Sequence, residues 1–206
     1  MAYAFHVFIS YQYSPTFAYW VPKHFAPALG EWLSQALAAK KLGAKARICL
    51  AEEDIRFGDL WRKKISAELQ TSCVLVPVFC PTYFDSPVCW AEWLTFRKRE
   101  AVLGNGNEGL VFPVIGSTGD NFPPEASAPQ WANFTPHVTK CEAFRNTPEY
   151  RTFEELIKRL ADHIALRLQK IPKFSDQWPV VDPDDPQVKA NCAQYEPIIA
   201  MPSMAA

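Results

Sequence analysis

The chain has 206 residues, 49% of them hydrophobic and 14% aromatic, a composition that predicts a well-buried core and excludes a disordered chain. Its 21 basic and 22 acidic residues give a net charge of −1, so it lacks the basic character typical of proteins that bind nucleic acids or anionic membranes. It contains no apolar run of about 18 residues and no basic leader before an apolar segment, so we expect no transmembrane helix and no signal peptide.

The six cysteines form no Cys-x-x-Cys pair and no pairing with histidine at zinc-finger spacing. We therefore expect no metal site. Reduced, unpaired thiols are typical of the cytoplasm, which is the compartment that we predict for the protein.

Four short apolar runs predict buried β-strands. Each run is almost continuously apolar rather than alternating, which is typical of strands covered on both faces in a parallel sheet. Pro77 and Pro113 weaken two of these predictions, because proline has no N–H group to donate within a sheet. The runs are residues 4–11, 46–51, 73–79 and 109–116.

Amphipathic patterns between and after these runs predict helices, because their apolar residues recur at intervals of three and four. We expect Gly43 to end the first helix as its C-cap. Ser86 is the expected N-cap of the third, with Pro87 at its first position, and Arg97, Lys98 and Arg99 in its last turn. The predicted helices are residues 26–43, 58–70, 86–101 and 151–170.

The alternation of strands and helices predicts an α/β fold, a three-layer sandwich with a central parallel sheet. Residues 117–150 are irregular, and we expect only short elements there. Prolines recur from residue 172 onwards, so we interpret residues 1–170 as the domain and residues 171–206 as a Pro-rich tail or linker. This segment either wraps the domain or leads to a further one.

Phosphate-binding glycine motifs, zinc-protease motifs and the hydrolase motif Gly-x-Ser-x-Gly are absent from the sequence. In open parallel sheets, ligands bind beyond the carboxyl ends of the strands. The segments that leave the first three predicted strands are rich in aromatic residues and carboxylates, which suits a flat cationic or nucleoside ligand. Alternatively, these aromatic residues are ordinary core residues. The segments are residues 10–17, 51–61 and 80–93.

Glu92 is the candidate catalytic residue. It follows Ser86 by six residues in the predicted helix, shares a helix face with Cys89, and is flanked by Trp90 and Trp93. A carboxylate held in a cleft can stabilise the positive charge that develops on a sugar ring when a glycosidic bond breaks. Alternatively, Glu92 is an ordinary helix glutamate that points at water.

Four motifs, taken in this order, resemble a Toll/interleukin-1 receptor (TIR) domain, most closely the bacterial NAD+-cleaving type. Two departures from the family pattern are Val88, where tryptophan is commoner, and Phe57, where proline often precedes the glycine. The motifs are FISY at 8–11, Asp-x-x-x-Gly-x-x-Trp at 54–61, SCVLVPVFCPTYFDS at 72–86, and Ser-x-Val-Cys-x-x-Glu-Trp at 86–93.

The resemblance implies a flavodoxin-like fold and an NAD+ nucleosidase or ADP-ribosyl cyclase with Glu92 as the catalytic residue. Such enzymes release nicotinamide from NAD+, which is their substrate and not a cofactor, and leave ADP-ribose or a cyclic ADP-ribose signal. In bacteria they commonly serve anti-phage defence. The resemblance further implies substrate-binding roles for Phe8, Ser10, Tyr11, Asp54, Phe57, Gly58, Trp61 and Cys89.

The implied partners are NAD+, other TIR protomers in a homo-oligomer or filament, and a sensor domain or effector protein, without nucleic acid or membrane. The main alternative is a TIR scaffold or adaptor without catalytic activity, which signals through TIR–TIR assembly. A third hypothesis is a flavin-binding or receiver domain of the same fold class. The receiver version needs acidic residues at the end of the first strand, and the run FISYQ at 8–12 has none.

Overall fold

The computed structural model describes residues 2–51, 59–104, 109–119, 122–123, 126 and 132–194, without the side chains of residues 59–62. Within these residues, five parallel strands form one sheet with the order β2-β1-β3-β4-β5. All eight residues of β3 and the last five of β1 are buried, which explains why these runs are apolar throughout. The strands are β1 (Phe5–Tyr11), β2 (Ile48–Leu50), β3 (Ser72–Phe79), β4 (Val114–Ile115) and β5 (Ala132–Asn133).

Helices cover both faces of the sheet. The strand order reverses at β1, because β2 lies on one side of it and β3 on the other. Right-handed crossovers in opposite directions place their helices on opposite faces. The helices are α1 (Phe17–Trp20), which continues through a π-helical turn (Val21–Phe25) into α2 (Ala26–Ala39), then α3 (Asp59–Gln70), α4 (Pro87–Leu103), α5 (Glu149–Leu168) and α6 (Pro186–Ala193).

This arrangement confirms the predicted α/β flavodoxin-like sandwich. Helices α2 and α5 pack against each other, while α3 and α4 both contact β1. The sheet therefore lies between two helical layers, and the segments that follow β1 and β3 leave it at a common carboxyl edge. That edge is where ligands bind in folds of this type.

The end of α2 differs from the prediction. The helix stops at Ala39, and Lys41 rather than Gly43 adopts the left-handed conformation next to the helix end, with φ of 58°. The N–H of Lys41 donates to the Ala38 carbonyl and that of Leu42 donates to the Leu37 carbonyl. These two hydrogen bonds form a Schellman motif, so the prediction of Gly43 as the C-cap is wrong.

Residues 174–183, which we call the C-terminal strap, run across the surface of the domain. The ring of Phe174 packs edge-on against Tyr3 at 5.4 Å, and the Trp178 indole N–H donates to the Tyr3 hydroxyl at 3.1 Å. Helix α6 follows, with buried Val188 and Cys192. The boundary after residue 170 stays a prediction, but the described part of the following segment packs on the domain. None of the described helices is both long enough and apolar enough to span a membrane.

Candidate active site

Helix α4 positions Glu92 close to the carboxyl edge of the sheet. The helix begins as predicted, because the Ser86 side chain accepts a hydrogen bond from the Cys89 N–H at 3.4 Å and Pro87 occupies the first turn. Glu92 lies in the second turn, and only 1% of its surface is exposed. A carboxylate so deeply buried at this place does not fit the alternative of an ordinary surface glutamate.

A polar stripe runs along α4 next to Glu92. Residues three, four and seven apart share one side of a helix, so Val88, Glu92, Thr95 and Arg99 lie in one row. The Thr95 hydroxyl accepts a hydrogen bond from the Val181 N–H at 2.9 Å, and its own proton goes to the Ala91 carbonyl at 2.8 Å. The row therefore faces the C-terminal strap.

A cavity of about 220 Å³ opens beside Glu92 between α3, α4 and the strap. Its described walls are mostly aliphatic, and their charged side chains are those of Glu92 and Asp182. Such walls exclude water and strengthen the effect of each charge. The described lining residues are Ile65, Ser66, Leu69, Val88, Ala91, Glu92, Val180, Val181, Asp182 and Pro183.

A second polar group lies on the sheet side of Glu92. The hydroxyls of Ser10 and Tyr83 are hydrogen-bonded at 2.6 Å, and both residues are fully buried. Burial raises the pKa of Tyr83 well above 10, and the nearby Cys89 and Glu92 raise it further. Tyr83 therefore stays protonated at neutral pH. The Cys89 thiol donates to the Gln12 side chain at 3.6 Å.

The tryptophans that flank Glu92 in sequence lie away from it. Trp90 and Trp93 pack against the Phe84 ring, with centroids 4.9 and 5.5 Å away, and against each other at 5.6 Å. Positions one and two residues from Glu92 point about 100° and 200° away around a helix of about 3.6 residues per turn. No aromatic side chain is among the described lining residues of the cavity. The predicted aromatic cleft includes Phe57 and the Trp61 side chain, which lie outside the description, so it stays a prediction.

Four residues that the resemblance assigns to substrate binding lie in the interior. Phe8 and Ser10 are fully buried on one face of β1, since residues two apart in a strand point the same way. Tyr11 ends the strand at 8% exposure, and Cys89 is 2% exposed. None of the four is among the described lining residues of the cavity, so their contact with a substrate stays a prediction.

Four further residues lie wholly or partly outside the description. Asp54, Phe57 and Gly58 fall outside the described residues. Trp61 belongs to α3, but its side chain is not described. Among the residues with described side chains, no group of three or more His, Cys, Asp or Glu is arranged to hold a metal ion.

The chain matches the family model described as TIR domain over residues 7–147, more than half of its length. It belongs to the TIR-domain family. Among solved structures, it is similar to the TIR domains in the structure of the activated Roq1 resistosome directly recognizing the pathogen effector XopQ. The sequence identity is 19%, the match covers 77% of this chain and 84% of that chain, and the TM-score is 0.34. No curated protein matches the chain. The family model alone carries the assignment, and it confirms the resemblance to a TIR domain, whereas the bacterial NAD+-cleaving type stays a prediction.

Several residues of this TIR domain escaped the sequence analysis. Tyr83 lies in the segment singled out for its aromatic residues, but nothing in the sequence pairs it with Ser10. Thr95 gives no signal either, because its partner is a backbone N–H 86 residues away. The wall at residues 180–183 lies in a Pro-rich segment that we interpreted as tail or linker, and only the apolar pair Val180 and Val181 hints at packing.

Proposed function

We propose that this TIR-domain protein cleaves the nicotinamide–ribose bond of NAD+, with Glu92 as the catalytic carboxylate. The observation that carries the proposal is the buried carboxylate of Glu92 in the wall of a largely aliphatic cavity. It stands at the last position of a Cys-x-x-Glu motif, near the carboxyl edge of the sheet. Buried carboxylates are costly, so one that faces a cavity is a candidate for chemistry.

The reaction suits a single carboxylate. When the bond between the ribose carbon and the pyridinium nitrogen breaks, the electron pair goes to the nitrogen, and nicotinamide leaves as a neutral molecule. The positive charge passes to the ribose as an oxocarbenium ion, which Glu92 stabilises in a site of low polarity. No general acid is needed, because the leaving group requires no proton.

Capture of the ribose cation then determines the product. Attack by water gives ADP-ribose, whereas attack by the adenine or a ribose hydroxyl of the same molecule gives a cyclic ADP-ribose. Either attack releases one proton. Ser10, Tyr83 and Cys89 are buried, and the Ser10 and Tyr83 hydroxyls are hydrogen-bonded to each other, so this part of the domain is closed to solvent. We further propose, from membership of the family, that TIR protomers assemble for activity and that the protein serves anti-phage defence.

The decisive experiment compares wild-type protein with Glu92→Gln and Glu92→Ala during incubation with NAD+. We expect both variants to lose NAD+ cleavage by about 100-fold or more, the usual effect of removing a charge-stabilising group. Chromatography of the reaction mixture measures NAD+, nicotinamide and the ADP-ribose products. Glu155→Gln on the exposed side of α5 is the matched control and should leave the rate unchanged.

Circular dichroism shows whether each variant is folded. Equal NAD+ consumption by wild type and the two Glu92 variants would exclude the assigned role. If folded wild-type protein consumes no NAD+ even at high concentration, the protein is instead a scaffold of the TIR family.

A further inference from the structure

The C-terminal strap builds one wall of the candidate site, although it lies outside the region that defines the family. The TIR domain match ends at residue 147, whereas four described lining residues of the cavity lie at 180–183. Residues 180–183, which line the cavity together with Glu92, therefore lie outside the part of the chain that the family model matches.

The strap follows the polar stripe of α4 towards Glu92. The Arg99 guanidinium donates to the Pro179 carbonyl at 3.4 Å, and one turn earlier Thr95 accepts from the Val181 N–H at 2.9 Å. The strap therefore runs antiparallel to α4, towards the start of the helix. The next strap residues, Asp182 and Pro183, thus lie beside Glu92 and Val88, where they line the cavity.

Burial keeps the strap in place. Val181 is 6% exposed, and in α6 Val188 and Cys192 are 1% and 3% exposed. The Gln70 side chain also donates to the Asp176 carbonyl at 2.7 Å. Displacement of the strap would expose these apolar side chains and remove hydrogen-bond partners from the buried Thr95 and Arg99. We therefore expect the strap to be a fixed wall of the cavity and not a mobile lid.

We propose that residues 180–183 are a permanent wall of the NAD+ site and that Asp182 in this wall selects the positively charged nicotinamide end of the substrate. This inference rests on the function proposed above. Two acidic and no basic side chains are among the described lining residues, which favours a cation. The volume of about 220 Å³ lies below the range of about 300–1,000 Å³ typical of sites that enclose a whole ligand, so the cavity holds one end of a dinucleotide.

Asp182 and Glu92 then act at different stages. Asp182 attracts the pyridinium charge in the bound substrate, and this attraction is lost when nicotinamide becomes neutral. Removal of the Asp182 charge should therefore raise KM and kcat together and leave kcat/KM nearly unchanged, since it weakens substrate binding and not the transition state. Glu92 faces the charge that appears on the ribose, so its removal lowers kcat.

Two variants test the wall by separate routes. Asp182→Asn removes the charge and keeps an oxygen that can accept the hydrogen bond from the Asp184 N–H, now 2.9 Å long. We expect a rise in KM for NAD+ of about two- to fivefold with a rise in kcat of similar size. Asp176→Asn, on an exposed strap residue that is not among the described lining residues, is the matched control and should change neither parameter.

Thr95→Val removes the acceptor for the Val181 N–H without changing the shape of the side chain. A loosened wall should raise KM by about two- to tenfold. Thr147→Val is the control, because the Thr147 hydroxyl, just before α5, donates to the Phe144 carbonyl as Thr95 donates to the Ala91 carbonyl, but accepts no bond from the strap in the described structure. A higher kcat/KM in Thr95→Val would show that the strap restricts entry, and would overturn the proposal of a fixed wall.

A binding measurement separates this inference from the proposed reaction. Ligand-observed NMR compares the binding of 1-methylnicotinamide, a pyridinium cation, with the binding of neutral nicotinamide. Neither measurement requires turnover. We expect the wild type to prefer the cation and Asp182→Asn to lose that preference. If NAD+ is not cleaved but the wild type prefers the cation, the proposed role of Asp182 is supported and the proposed cleavage reaction is excluded. If cleavage depends on Glu92 but neither Asp182→Asn nor Thr95→Val changes KM or cation binding, the proposed reaction is supported and the proposed role of residues 180–183 is excluded.

Discussion

The guanidinium of Arg99 joins three parts of the chain in the interior. It donates to the carbonyls of Leu69 at 3.0 Å, Ser72 at 3.3 Å and Pro179 at 3.4 Å, and lies 4.5 Å from the centre of the Phe96 ring. Burial lowers its pKa from 12.5 to about 10, so it remains protonated at neutral pH. The positive charge suits the carbonyl-rich end of α3, where Leu69 lies.

The sequence pattern predicts Arg99 in the last turn of α4, as one of three basic residues at the negative end of that helix. The structure extends α4 to Leu103, so Arg99 lies a full turn before the end and serves α3 instead. The partners of Arg99 are backbone carbonyls from distant segments, and a backbone carbonyl leaves no trace in residue identity. Such an interaction is therefore invisible to pattern analysis.

Lys41 offers a test of the corrected helix end. Its φ of 58° is strained for any residue with a side chain, so Lys41→Gly should raise the free energy of unfolding by about 0.5–1 kcal/mol. Urea unfolding followed by tryptophan fluorescence measures the change. Lys40→Gly, at a φ of −93°, is the control and should give no gain. A gain of equal size in both variants would contradict the strain at Lys41.

At the scale of elements, Pro77 determines how β3 pairs with β4. Leu75 and Phe79 bond towards β4, and alternate residues of a strand bond to the same neighbour, so Pro77 faces β4 as well. Proline has no N–H, and the ladder is interrupted there: an isolated bridge joins Leu75 to Val111, and regular pairing resumes only at Val78. The predicted strand at 109–116 is therefore only two residues long.

Two glycines in different elements should respond in opposite ways to the same substitution. A methyl group at Gly116, just after β4, would lie 2.7 Å from both Phe17 Cε1 and Val78 Cγ1. At Gly30, inside α2, it would lie 3.5 Å from Ile48 Cδ1, an ordinary contact. Gly116→Ala should lower the free energy of unfolding by about 1–3 kcal/mol, and Gly30→Ala should raise it by about 0.5–1 kcal/mol.

Urea denaturation of both variants against wild type measures these changes. A stabilising Gly116→Ala would show that Phe17 or Val78 moves aside without cost. A destabilising Gly30→Ala would show that the contact with Ile48 is tighter than the structure indicates.

At the scale of the whole molecule, the layered fold could be predicted and the shape of the site only in part. Buried parallel strands have apolar runs, and amphipathic helices have a regular period, so both leave a signal in the sequence. The cavity depends on where α4, α3 and the strap meet, and the strap has no period at all. Both Glu92 and Asp182 line this cavity. The motif singles out Glu92 in the sequence, whereas nothing singles out Asp182, because it lies in a run of prolines and aspartates.

Three buried or partly buried histidines make the stability of the molecule depend on pH. Burial is the main cause that lowers the pKa of His6, His24 and His137 below 6.5, with Arg47 and Arg145 adding to the effect at the first two. At His6 the Nδ1 atom accepts the Arg47 N–H at 2.9 Å, which protonation would prevent.

The direction of the effect follows from proton binding. Below pH 6.5 these histidines bind protons in the unfolded chain, whereas in the folded protein their lowered pKa keeps them neutral. The free energy of unfolding therefore decreases as the pH falls. We expect the free energy of unfolding to be lower at pH 5.5 than at pH 7.5, with urea denaturation at both values as the measurement. His24→Phe, which retains a ring between Tyr19 and Phe144, should reduce this difference, whereas His163→Gln on exposed α5 should not. An unchanged difference in His24→Phe would exclude His24 as a source of the acid sensitivity.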